Sequence, residues 1–512
     1  MPTSEKETNP SFDYVHAIES SRVYDIATET PLTLAPKLSF RLQNEVLLKR
    51  EDLQPVFSFK LRGAYNKIAN LSEAEQAKGV ICASAGNHAQ GVAMSANRLG
   101  IQATVVMPRT TPEIKVQAVE SYGAKVVLIG DSYSDAVCHA ETLCAEAGMQ
   151  FIHPFDDPMV IAGQGTIAEE MLRQVRTKDM DAVFIPIGGG GLAAGMAAYL
   201  KVMSPNTKII GVEPDDSAAM KLSIEAGERI VLSQVGIFAD GVAVKQVGAY
   251  TFDLCRQYVD EIILVDTDEI CAAIKDIYEE TRAVVEPAGA LAVAALKKYV
   301  KRDGVRGQVL AAVNSGANMN FDRLRNVAER AEMGERREAL FAVKIPEVAG
   351  AFLSFCGGLS SFNITEFNYR MSSRDEAFVY VGVAVSGIEA HEKIAADLSS
   401  QGYQVTNLMH NEAAKLHLPH LVGGKSVNAH NERLYRFEFP ERPRALLDFL
   451  TKLAGRWNIS LFHYRNHGAA FGRVLVGFEV PDKDLDNFHS FLDDVGYTFV
   501  DESNNEALHY FI

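Results

Sequence analysis

Between Gly79 and Asn320 the chain alternates short apolar, β-rich runs with helical patterns, and glycines stand directly behind several of the runs. Val80-Ile81-Cys82-Ala83 leads into a helical stretch from about His88 to Leu99, followed by Ala103-Thr104-Val105-Val106-Met107. A helix from Pro112 and the run Ala124 to Ile129 come next, and later runs span Ala182 to Ile187, Lys208 to Val212 and Gln308 to Val313. Strands that are apolar on both sides need cover on both faces, and the intervening helices supply it, so the pattern predicts a parallel α/β sheet. Ligands of such sheets sit at the carboxyl ends of the strands, where these glycines fall.

A chain of 512 residues exceeds the roughly 250–300 residues at which single cores split, so more than one domain is expected. The formal charge of -16 argues against a nucleic acid or an anionic membrane surface as partner, since both select a basic face. None of the six cysteines forms a C-x-x-C pair, and buried reduced thiols are the better reading than a disulfide framework. Residues 1–13 are polar with no apolar stretch, and no run approaches the roughly 20 residues that span a bilayer. A cytoplasmic protein is expected.

Beyond Asn326 the character changes. The charged segment Arg330 to Arg337 reads as a connector helix, and an internal repeat follows it. Ile345-Pro346-Glu347, Ala351-Phe352-Leu353, Asn363-Ile364 and Phe367-Asn368-Tyr369-Arg370 recur as Phe439-Pro440-Glu441, Ala445-Leu446-Leu447, Asn458-Ile459 and Phe462-His463-Tyr464-Arg465, about 95 residues on. Each copy ends in a strand-like run, Ala377 to Val385 and Ala470 to Val480. Two copies are too few for a solenoid, and pseudo-twofold pairing of two small α+β units is the better reading. The expected divisions are 1–328, a connector 329–338, units 339–411 and 433–507, and a linker 412–432. His410, His417, His420 and His430 fall between the repeats at spacings that match no familiar metal-ligand pattern, and they read as solvated linker.

Four segments carry chemistry. Lys60 lies between Phe59 and Leu61, beside Gly63 and Ala64, where partial burial would disfavour its charged form. Taken alone it reads more readily as a surface lysine at a helix start. Gly188-Gly189-Gly190-Gly191 follows an apolar run and precedes the small-residue helix Leu192 to Leu200, so its backbone amides suit a phosphate. No Gly-Lys-Ser/Thr follows, which excludes a Walker loop, and the spacing is not G-x-G-x-x-G. Ser84-Ala85-Gly86-Asn87-His88 occupies a similar strand-to-helix turn and suits a substrate carboxylate, with His88 more naturally a satisfied helix-start histidine than an acid or base. Ser315 is a candidate partner for a pyridine nitrogen, and a serine there leaves the ring a milder electron sink than an aspartate would, which suits β-elimination.

Together these segments resemble pyridoxal-phosphate enzymes of the tryptophan-synthase-β fold type, and within them the serine/threonine dehydratases. The resemblance to the biosynthetic threonine deaminases runs nearly the whole length. It is carried by Ser58 to Ala64, Ser84 to Gly91, Gly188 to Leu192, Phe238 to Lys245, Glu286 to Ala290 and Ser315 to Asn318. The resemblance implies pyridoxal 5'-phosphate on Lys60, with Asn87 at the ring hydroxyl, Gly188, Gly189, Gly190, Gly191 and Leu192 on the phosphate and Ser315 on the ring nitrogen. It implies conversion of L-threonine, and of L-serine less specifically, to an oxo acid and ammonia, the committed step of isoleucine biosynthesis, in a homotetramer. The C-terminal repeat resembles paired ACT-like regulatory domains that respond to isoleucine and valine, and the resemblance points to Tyr369 and Tyr464. Leu446, Leu450 and Leu453 share one helical face and from periodicity alone read as core.

Some relatives place a cation beside a Glu-Pro pair. Here Glu213-Pro214 is present, but Ala219 stands where a later acidic ligand would be expected. Related racemases carry a serine where this chain has Ala85, which favours elimination over racemisation. Two further readings remain open: a serine-specific dehydratase or β-replacement synthase of the same fold, and an amino-acid sensor whose catalytic part is vestigial.

Overall fold

The computed structural model describes residues 12–175, 179–236, 238–321, 323–334, 338–348, 350–360, 362–371, 375–385, 388–409, 411, 426, 428–440, 445–465 and 471–505. The chain divides into two compact units, Met1–Ala331 and Glu332–Ile512.

The first unit holds two sheets. The larger runs in the order Leu32–Leu34, Glu45–Arg50, Val309–Asn314, Ala182–Pro186, Lys208–Pro214, Glu261–Val265, and only its first pair is antiparallel. The smaller is parallel, in the order Lys125–Leu128, Ala103–Met107, Val80–Ala83, Gln150–Phe151. Every residue of Val80–Ala83, Ala103–Met107, Ala182–Pro186 and Val309–Asn314 is buried, as two-sided helical cover requires. Parallel strands point their carboxyl ends the same way, so Ser84, Gly188 and Ser315 each begin a loop at a strand's carboxyl end.

The patterning passes over four strands: Leu32–Leu34, Glu45–Arg50, Gln150–Phe151 and Glu261–Val265. Glu45–Arg50 is instructive, because it ends in two cations yet is buried from its second residue onward. Lys49 is neutralised inside by Glu170 at 2.5 Å and the Thr30 carbonyl at 2.6 Å, and Arg50 by Asp52 at 2.7 Å. Of the expected connector Arg330–Arg337, Arg330 to Gly334 end a helix that starts at Arg323, and residues 335–337 lie outside the described residues. Arg330 is held there by Asp268 at 2.6 Å.

The second unit is one eight-stranded antiparallel sheet in the order Gln404–Asn407, Glu338–Pro346, Glu376–Ala384, Asn363–Arg370, Asn458–Arg465, Phe471–Glu479, Glu432–Pro440, Phe499–Asp501. The repeats join edge to edge at its centre. Phe367 pairs with Tyr464, Asn368 with His463 and Tyr369 with Phe462, so Phe367 meets the counterpart of Tyr369 and Tyr369 meets the counterpart of Phe367, the pattern of a local twofold. Both copies carry a register shift at equivalent places, Ile364/Glu366 and Ile459/Leu461. A single aromatic-rich core spans both halves, including Phe352, Phe367, Phe449 and Phe462. Of the four interrepeat histidines, His410, His417 and His420 lie outside the described residues. The backbone N–H of His430 donates to Glu479. No helix among the described residues is long and apolar enough to cross a membrane.

Candidate active site

Lys60 is the first residue of the helix Lys60–Ala69, and the chain just ahead of it is clamped to the loop that carries Ser315. Ser58 and Gly316 form an antiparallel bridge, Phe59 N donates to the Ser315 carbonyl at 3.2 Å, and Ala317 N donates to the Phe57 carbonyl at 2.9 Å. Two loops distant in sequence are thereby fixed together by backbone alone. Behind Lys60, the fully buried Arg62 is shared between Glu51 at 2.8 Å and Glu170 at 2.6 Å. Such a charge cluster survives burial only when every member is paired, which locks the first turn of the helix in place.

The half-buried Lys60 Nζ donates to the Pro154 carbonyl at 3.0 Å. Burial lowers its pKa to about 8, against the opposing pull of the Glu286 carboxylate. Glu286, at the start of the helix Pro287–Asp303, is itself raised to about 7 by burial. Its Oε1 accepts from Asn87 Nδ2 at 2.6 Å, while Asn87 Oδ1 accepts from Asn318 Nδ2 at 2.7 Å, and Asn318 also donates to the Val56 carbonyl. This chain of bonds fixes which way the Asn87 amide points.

The tetraglycine lies between the strand Ala182–Pro186 and the helix Gly191–Met203, whose N-terminus has no side-chain cap. Side chains are excluded there by space. A Cβ on Gly189 would lie 2.2 Å from the Phe155 ring, and Gly190 adopts φ 97° with Met220 2.7 Å from where its Cβ would be. The Gly189 carbonyl accepts the Thr251 hydroxyl at 2.6 Å. Ser315 is buried, and its Oγ donates to the Ala288 carbonyl at 3.3 Å.

Lys60, Asn87, Gly188 to Leu192 and Ser315 line one cleft of about 430 Å³, with Phe155, Val242 and Glu286 completing its wall. An amine of lowered pKa, a loop of glycines where no Cβ fits, and a buried hydroxyl together fit a phosphate-bearing aromatic aldehyde. Ser84, Ala85 and Gly86 stand at the neighbouring strand end, half-buried, outside the cleft lining itself. Ser84 Oγ accepts from Gly86 N at 3.3 Å, closing that turn on itself. The His88 ring is satisfied within the fold. Its Nε2 is 2.8 Å from the Ile152 carbonyl, and burial pushes its pKa down to about 3. Glu213 has a structural task, since both its carboxylate oxygens accept backbone N–H groups, from Met220 at 2.7 Å and Lys221 at 2.9 Å. Glu286 and Asn318 were visible in the sequence only as parts of motifs. Nothing in their residue types announced that they would meet Asn87.

In the second unit, Tyr369, Leu450 and Leu453 line a cleft of about 390 Å³, together with Glu347, Phe352 and Trp457. Leu446 and Tyr464 do not line it, and both pack partly buried against the core. The repeat counterpart of Glu347, Glu441, lies outside the described residues.

Comparison with known proteins follows the same division. Residues 23–316 match the family described as pyridoxal-phosphate dependent enzyme, and residues 329–418 and 423–512 each match the C-terminal regulatory domain of threonine dehydratase. The chain is 55% identical over 505 residues to a biosynthetic L-threonine dehydratase of Burkholderia multivorans, covering 98% of this chain and 99% of that one. It is 52% identical over 501 residues to the Escherichia coli biosynthetic L-threonine dehydratase, covering 98% and 97%. Among solved structures, the processed form of threonine deaminase isoform 2 from Solanum lycopersicum is 52% identical, with a TM-score of 0.62 over 65% of this chain and 96% of that one.

Proposed function

The chain belongs to the biosynthetic threonine dehydratase family of pyridoxal-phosphate dependent enzymes, and from that premise we propose how its residues divide the work. The reaction is conversion of L-threonine to 2-oxobutanoate and ammonia, in which the water lost on elimination is regained on hydrolysis. The observation that carries this reading is the meeting of Lys60, Asn87, the four glycines and Ser315 in a single cleft.

Lys60 holds the cofactor and is the amine that moves the Cα proton. Gly188 to Leu192 hold its phosphate, Ser315 its ring nitrogen and Asn87 its ring hydroxyl, while the Ser84–His88 turn receives the substrate carboxylate through backbone donors. When bound, pyridoxal phosphate supplies the electron sink that acidifies the substrate Cα–H. Lys60 Nζ takes that proton. A pKa of about 8 instead of 10.5 suits the task, because an ordinary lysine is almost wholly protonated at neutral pH and cannot accept it. The Asn318–Asn87–Glu286 chain keeps an amide donor aimed at one place through the cycle. The neutral Ser315 hydroxyl would hold the ring nitrogen without supplying it a full proton, a setting that suits loss of a β-hydroxyl.

The regulatory unit senses isoleucine, opposed by valine, in the cleft beside Tyr369, and the enzyme works as a cytoplasmic homotetramer. Support comes from the two matched regulatory domains and from a cleft whose apolar wall suits a branched side chain. A ligand there shifts activity only by its different affinity for two states of the enzyme. The test is turnover of L-threonine, L-serine and O-acetylserine by the purified chain, with cofactor absorbance followed throughout. Preference for threonine supports the reading. Preference for O-acetylserine with a nucleophile, or no cofactor band at all, removes it.

A further inference from the structure

The regulatory cleft joins an apolar wall to a carboxylate. Phe352, Leu450, Leu453 and Ile459 supply the wall, and Glu347 and Tyr369 supply the polar end. Glu347 Oε2 accepts the Tyr369 hydroxyl at 2.5 Å, and its Oε1 accepts from Asn458 Nδ2 at 3.1 Å. The same Asn458 nitrogen donates to Glu479 Oε2 at 3.1 Å, so one neutral amide stands between two carboxylates. No lysine or arginine is among the described residues that line the cleft. Burial raises the Glu347 pKa, and the neighbouring Glu479 raises it further.

A half-buried carboxylate that, among the described residues, is served only by neutral donors gains most from a cation brought beside it. The space is small, and the adjoining wall is aliphatic and aromatic, so the cation has to be compact and attached to an apolar body. A primary ammonium one carbon from a branched alkyl group meets both conditions. The helix Ala351–Gly358 begins in the same cleft at Gly350, with no side-chain cap and no acidic residue in its first turn, and so offers its positive end to the carboxylate of such a molecule.

We propose that Glu347 binds the α-ammonium group of the effector amino acid, with the Tyr369 hydroxyl beside it, and that this contact makes the cleft select an amino acid over a branched aliphatic acid. The proposal rests on the reading of this cleft as the effector site. The chain has one tryptophan, Trp457, and it lines the cleft, so its emission reports occupancy in the full-length holoenzyme. Titrations with L-isoleucine and with 3-methylpentanoate, the same skeleton without its amine, are run on the wild type and on Glu347→Gln. The wild type should prefer isoleucine by about tenfold to a hundredfold, the range of a hydrogen bond to a charged group. Glu347→Gln should lose isoleucine affinity by a similar factor and keep its affinity for 3-methylpentanoate within about twofold, the acid lacking the charge that the carboxylate reads. If the variant fails to fold, as thermal melting would show, the wild-type preference alone still decides. Equal wild-type binding of the two ligands, or unchanged isoleucine binding in Glu347→Gln, removes Glu347 and leaves the effector site standing. A Trp457 emission that ignores isoleucine in the wild type removes the site and the proposal together.

Discussion

The cleft around Lys60 is gathered from loops near residues 60, 87, 188 and 315, whereas the cleft around Glu347 is built from two copies of one repeat folded about a local twofold. The first asks for residue types that an ordinary core does not use: an amine whose charged form burial disfavours, and glycines where a Cβ would strike Phe155 or Met220. The second asks mainly for shape, and its wall is made of the same leucines and phenylalanines that fill the core beside it. Chemistry leaves a mark on residue type, while complementarity to an aliphatic ligand does not.

Substitutions sharpen that contrast. Lys60→Ala should cost roughly 10²–10⁴-fold or more in ammonia release, because it removes the proton-moving amine and the cofactor's attachment point together. Its thermal unfolding should stay close to wild type, and near-normal turnover would break the contrast at its strongest point. Next comes Arg62→Met. It leaves Glu51 and Glu170 buried without the cation they share, and should cost about 3–5 kcal/mol in denaturant unfolding. Loss of activity at full stability would mean that Arg62 works by another route.

Leu450→Phe tests the other cleft. Leu450 is 1% exposed and lines the cavity, so a larger ring crowds the place an isoleucine side chain would take. Overpacking of about 1–3 kcal/mol corresponds to a roughly five- to hundredfold rise in the isoleucine midpoint, read from inhibition curves. Ser315→Ala should weaken cofactor retention by a similar or smaller amount, about 1–3 kcal/mol, seen as faster loss on dialysis. The smallest effect is on pH. Capture of pyridoxal phosphate by cofactor-free protein needs the neutral amine of Lys60, whose pKa burial lowers to about 8. Capture should therefore speed up about fivefold from pH 7 to 8 and level off above it, whereas an ordinary lysine would keep accelerating past pH 9.

The same contrast explains what could be read in advance. The apolar runs at Val80–Ala83, Ala182–Pro186 and Val309–Asn314 were legible because full burial on both faces leaves no polar alternation. Glu45–Arg50 was not, because Lys49 looks like a surface residue until Glu170, 121 residues away, is known to meet it. The tetraglycine stood out by residue type, and Lys60 did so only in company with it. Glu286 and Asn318 did not, since their parts depend on a contact with Asn87 that only the fold creates. In the regulatory unit the repeat revealed the symmetry but not which aromatic and leucine positions face the cleft. Tyr369 lines it and Tyr464, its counterpart, does not, and residues 441–444, which correspond to the segment starting at Glu347, lie outside the described residues.

The direct check on the catalytic assignment is to fix the cofactor where it sits. Borohydride reduction of the holoenzyme, followed by proteolysis and mass spectrometry, should place a single phosphopyridoxyl group on the peptide containing Lys60. A group on any other lysine, or none at all in protein that still releases ammonia from threonine, would contradict it.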